Sequence, residues 1–134
     1  MAAFMAFSAL WAFDCKAYEH SDEYRRCILT PNLNTEIEYG CIKEENMSLL
    51  RKMEGLKQQL QNTGLFGELA AKEITLDKQM ADWQAYLNSF CEYSKESACA
   101  YDKDPKILKE ECLYNFTATL VQDWEDLLKS AQKR

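Results

Sequence analysis

Glycine and proline are scarce in this chain. Together they account for six of 134 residues. Strand-like alternation of apolar and polar residues is absent as well, so long periodic runs with few breakers point to an all-helical protein. One histidine, His20, stands in the whole chain. Nucleophilic catalysis usually pairs a serine or cysteine with a base, and a single histidine in a polar stretch supplies no such set. No CxxC pair or close Cys–His spacing occurs, which argues against zinc. CxxCH is missing, which argues against covalent haem, and no glycine-rich loop cradles a phosphate. No segment carries the ~18 consecutive apolar residues of a membrane span. Basic stripes are missing too: the 16 Lys and Arg are dispersed among 22 Asp and Glu, for a formal net charge of −6. Nucleic acid is therefore not the expected partner. These absences favour a binding protein over an enzyme and imply no cofactor.

What the chain does have is an apolar fraction of 47 % and six cysteines. That apolar content can fill a core without metal or cofactor. An even cysteine count without metal spacing reads as disulfides in an exported protein, periplasmic or secreted. Met1–Ala12 is apolar and uncharged with small residues at Ala9 and Ala12, as in the hydrophobic part of a signal peptide cut after Ala12. The alternative is a helical turn packed on the core. No small residue precedes Cys15, so a lipid anchor there is not expected. Residues 13–134 then form one domain.

Hydrophobic periodicity predicts one short and three long helices in a small antiparallel bundle. The short one runs from about Ser21 to Leu29, with Ser21 as cap. Thr30-Pro31-Asn32 breaks the chain, and a long helix starts near Asn34, with Leu33, Ile37, Cys41, Leu49, Met53, Leu56 and Leu60 on one face. It stops at Thr63-Gly64. The next stripe, Leu69 to Cys91, places Leu76, Met80, Trp83, Leu87 and Phe90 on one side of a helix about 33 Å long. A polar break, Ser94–Asp104, separates it from the last helix, where Asp104 caps and Pro105 occupies the first position.

Loop arithmetic suggests three pairings for the cysteines. Cys15 and Cys27 would close a short loop. Cys91 and Cys112 would meet between antiparallel helices, leaving Cys41 for Cys99. Two glycosylation-type triplets, at Asn46 and Asn115, fall inside predicted helices and read as accidental.

Four features occur in order: Phe13-Asp14-Cys15 with Cys27; the long helix after Pro31-Asn32-Leu33; Gln79 to Tyr86 around Trp83, ending at Cys91; and Cys112-Leu113 followed by Thr117. In this order the chain resembles the N-terminal domain family of the lysozyme inhibitor LprI, small exported helical bacterial domains. Trp83, Tyr86 and Thr117 carry the motif. Leu87, Asn88 and Leu120 stand where that family usually has charged residues, and Cys41 and Cys99 are additional to its usual four cysteines. The resemblance implies a binding protein that occludes a cationic muramidase, a basic lysozyme, through an acidic surface. Candidate contacts lie in and just before the polar break: Glu92, Tyr93, Glu96, Tyr101 and Asp102. The competing reading is a structural or accessory module of the cell envelope without an enzyme target.

Overall fold

Four small polar side chains start the helices. Ser21 accepts from the backbone N–H of Tyr24 at 3.1 Å, Asn34 from Ile37 at 2.9 Å, Thr75 from Lys78 at 3.1 Å and Asp104 from Lys106 at 2.9 Å. Each bond satisfies an amide that the helix leaves without a partner, a contribution of about 1 kcal/mol. The computed structural model describes residues 20–64, 67, 75–96 and 103–133. These residues form α1 (Asp22–Ile28), α2 (Thr35–Asn62), α3 (Leu76–Phe90), a 3-10 helix (Cys91–Glu96) and α4 (Pro105–Gln132). Met1–Cys15, Cys99, Tyr101 and Asp102 lie outside the described residues.

Successive helices are antiparallel, so α2 and α4 run in the same direction and pack along most of their lengths. Cross-links advance together on both: Lys106 pairs with Glu36, Asn46 donates to the carbonyl of Glu110 at 3.0 Å, and Lys52 meets Glu125 at 2.6 Å. One core cluster joins Met53, Leu56 and Leu60 of α2 to Val121, Trp124 and Leu128 of α4, with Leu76, Met80 and Trp83 of α3 laid against it. A second holds Tyr24, Cys41, Ile42 and Tyr114. Full burial of each large apolar side chain contributes roughly 1.5–3 kcal/mol, so these clusters hold the helices together.

Three expectations need correction. Cys27 bonds to Cys41, not to Cys15, and Cys41 is therefore unavailable to Cys99. The physical reason is the hairpin that α1 and α2 make across residues 29–34, where Asn32 takes a left-handed backbone angle (φ 61°) that asparagine tolerates. Folding α1 back on α2 sets Cys27, one residue from the end of α1, opposite Cys41, with Cα atoms 5.8 Å apart. The expected Cys91–Cys112 bond is present, with Cα atoms 5.7 Å apart. Second, α3 begins at Leu76, not at Leu69, because Thr75 adopts extended backbone and caps it. Third, Leu33 and Ile37 are exposed, while Ile42 is fully buried in their place. The α1 hairpin covers the face that carries Cys41 and Ile42.

Candidate interaction surface

The first half of the polar break is ordered by the staple beneath it. Cys91 is fully buried, its bond to Cys112 fixes the 3-10 helix on α4, and the buried Ser94 hydroxyl donates to the Cys91 carbonyl at 2.6 Å. Leu87, one turn earlier, is 2 % exposed. With Leu87, Cys91 and Ser94 turned inward, their neighbours Tyr86 and Tyr93 turn outward. Tyr86 is 58 % and Tyr93 65 % exposed, and Phe90 lies between them.

The rings form a continuous row. Trp83 and Tyr86 are 6.3 Å apart by ring centroid, Tyr86 and Phe90 5.7 Å and nearly parallel, and Phe90 and Tyr93 6.4 Å. Phe116 of α4 meets Phe90 edge-on at 5.5 Å and supports the row from below. Exposed tyrosines on a rigid base offer a large contact area with little side-chain entropy left to lose on binding. Trp83 itself is half-buried and Thr117 is buried, so of the motif residues Tyr86 is the one presented to solvent.

The acids of the break do not act alike. Glu92 is bonded to Lys109 at 2.5 Å and to Lys95 at 2.8 Å. Donation from Lys109 first, then from Lys95, lowers its carboxyl to a pKa of about 2. Its charge is thus matched inside the molecule, and it is a poor partner for an incoming cation. Glu96 is exposed. Replacing Lys109 by methionine should lift the Glu92 midpoint from about 2 toward the ordinary carboxylate value of 4.5. A carboxyl-carbon NMR titration reads this directly, and an unmoved midpoint would show that Lys109 does not set it. Because the folded value is depressed, any stability from the pair is complete above the ordinary range and declines as pH falls toward the folded value.

A second cluster was not legible in the sequence. The His20 side chain is 7 % exposed and lies between the rings of Tyr24 (4.0 Å) and Tyr114 (4.3 Å). Its Nδ1 lies 3.3 Å from Glu45 Oε2 and its Nε2 3.7 Å from Glu111 Oε2. Both carboxylates are themselves buried. The backbone N–H of Ser21 donates to Glu45 at 3.0 Å, and Lys103 to the other oxygen of Glu111 at 3.3 Å. Burial pushes the Glu111 carboxyl up, but His20 and Lys103 outweigh it and hold it below its ordinary value. Burial, reinforced by the negative charges of Glu111, Glu38 and Glu45, raises the Tyr24 phenol well above its usual range. The cluster ties the start of α1 to the middle of α2 and the first turns of α4. It is a structural clasp, with its groups turned toward one another.

Among the described residues no group of His, Cys, Asp and Glu could hold a metal ion, and no helix is long and apolar enough to cross a membrane. Comparison with known proteins finds no matching family model, no matching curated protein and no matching solved structure.

Proposed function

We propose that this chain is an exported binding protein that blocks a basic muramidase, docking through the aromatic row of Tyr86, Phe90 and Tyr93. The exposure of Tyr86 and Tyr93 on a stapled, fully buried base carries the reading. Two disulfides among the described residues support an oxidising compartment, periplasmic or extracellular. The net charge of −6 supports steering toward a basic partner. The order of Phe13-Asp14-Cys15, Cys27, Trp83, Cys91, Cys112 and Thr117 supports lysozyme as the class of partner through its resemblance to the LprI-type domain. The mechanism is occlusion. Charge sets the rate of encounter, and the desolvated tyrosines set how long the complex lasts.

Purified, oxidised protein should slow wall lysis by a hen-type or goose-type lysozyme. Association should slow as salt rises, because exposed charges are screened beyond about 8–10 Å near physiological salt. Tyr86→Ala and Tyr93→Ala should each weaken inhibition about tenfold, whereas Glu92→Gln should change it little. A different acidic helical protein of similar charge serves as control. Equal inhibition by the control, or no binding to either lysozyme at micromolar protein, removes the inhibitor reading and leaves the accessory envelope module in its place.

A further inference from the structure

The two disulfides among the described residues sit in unlike surroundings. Cys91 is 0 % and Cys112 6 % exposed, so no reagent reaches either sulfur without opening the bundle. Cys27 is exposed and Cys41 is 3 % exposed. Together they form part of the wall of a cleft of about 290 Å³ between α1 and α2, beside Tyr24, Glu44 and Ser48. Thiol–disulfide exchange depends on access to a sulfur, and exposed disulfides are the labile ones. The cleft gives that access at Cys27.

What the bond restrains is also distinctive. α1 has seven residues. An isolated helix that short does not hold its form in water, where about 12–15 residues are marginal. Beyond the disulfide, α1 is held to the bundle by Tyr24, its single buried residue, inside the His20 clasp, and by the partly buried Ile28. Among the described residues, the cover that α1 places over Ile42 and Tyr114 therefore depends on one covalent link, the Tyr24 anchor, Ile28 packed beside it and the Ser21 N–H bond to Glu45.

We propose that Cys27–Cys41 is a reducible latch on the α1 arm, opened by a dithiol while Cys91–Cys112 stays closed. A thiolate of the dithiol attacks the Cys27 sulfur from the cleft. The Cys27–Cys41 bond breaks, and Cys41 leaves as a thiolate that takes up a proton. The second thiol then loses its proton and attacks its own sulfur in the mixed disulfide, releasing the Cys27 thiolate, which is protonated. Two electrons pass to the protein, and the reductant ends as its internal disulfide. α1 then loosens and uncovers Ile42 and Tyr114, while the aromatic row keeps its staple. This device does not depend on the identity of the partner.

The test uses the full oxidised chain and dithiothreitol, with iodoacetamide quenching and peptide mapping over time. Cys27 and Cys41 should be alkylated at least about tenfold faster than Cys91 and Cys112. The difference should vanish in guanidinium, where burial no longer protects. In the selectively reduced protein, and in a Cys27→Ser/Cys41→Ser variant, amides of α1 should lose exchange protection while those of α4 keep it. Equal rates in the native protein, faster reduction of Cys91–Cys112, a difference that survives guanidinium, or an α1 equally protected after reduction would each overturn the latch.

Discussion

Replacing His20 with alanine should destabilise the protein by about 3 kcal/mol, a large fraction of the total stability usual for a domain. The loss has two parts. Glu45 and Glu111 are 7 % exposed each, and His20 is the polar group that both face. Removing it takes one facing group from each buried carboxylate and leaves Glu45 with the Ser21 amide and Glu111 with Lys103. The second part is packing, because the ring fills the space between Tyr24 and Tyr114. Two further variants separate the parts. His20→Phe keeps the stack and removes the ring nitrogens; His20→Gln keeps a polar group and removes the stack. Denaturant melts at neutral pH should rank wild type above His20→Gln and both above His20→Ala. A loss below about 1 kcal/mol in His20→Ala would show that the carboxylates do not rely on it.

The same clasp sets an acid limb. The Glu111 carboxyl is held below its ordinary value of 4.5 in the folded chain. Its contribution is therefore complete above that ordinary value and is lost as pH falls through the folded one. Glu111→Gln should flatten the loss of stability below about pH 4.5 relative to wild type.

The second large effect is expected from the buried staple. Cys91→Ser combined with Cys112→Ser removes a bond that closes 21 residues of chain, and the loss should be about 3 kcal/mol. Two hydroxyls would also replace sulfurs at positions 0 % and 6 % exposed, where polar atoms without partners add to the cost. Thermal melts of the double variant against oxidised wild type read the sum. The 3-10 helix rests on α4 through this bond, so Tyr93 should lose its fixed position as well. A variant that melts like wild type would show that packing alone holds the corner.

The fold was largely legible because its signals are local. Ser21, Asn34 and Asp104 announce helix starts, and periodic Leu, Met and Trp residues announce faces. Cys91–Cys112 could be foreseen because it joins the end of one helix to the start of the next. Cys27–Cys41 could not. Its geometry depends on whether α1 folds forward onto α2 or back onto the preceding segment, and loop length alone does not decide that. The Thr75 cap was hidden by an apolar pattern that continues upstream of it.

The surface was legible in part. Tyr93 was a candidate contact, but Tyr86 was read only as part of the tryptophan motif, and their shared exposed row needed the turn at Cys91. Glu92 looked like a free acid in sequence, because Lys109 lies on a different helix. The His20 clasp was invisible. A lone histidine in a polar stretch gives no sign that Glu45 and Glu111, 66 positions apart in sequence, flank it in space.

The most direct test of the binding account is an NMR titration of ring-labelled tyrosines with hen-type or goose-type lysozyme. The chain has seven tyrosines, so the surface and interior rings report separately. Tyr86 and Tyr93 should shift or broaden in proportion to the muramidase bound, while the buried Tyr24 and Tyr114 stay in place. Saturating lysozyme that leaves Tyr86 and Tyr93 unmoved, or that perturbs only tyrosines elsewhere, would contradict docking through the aromatic row.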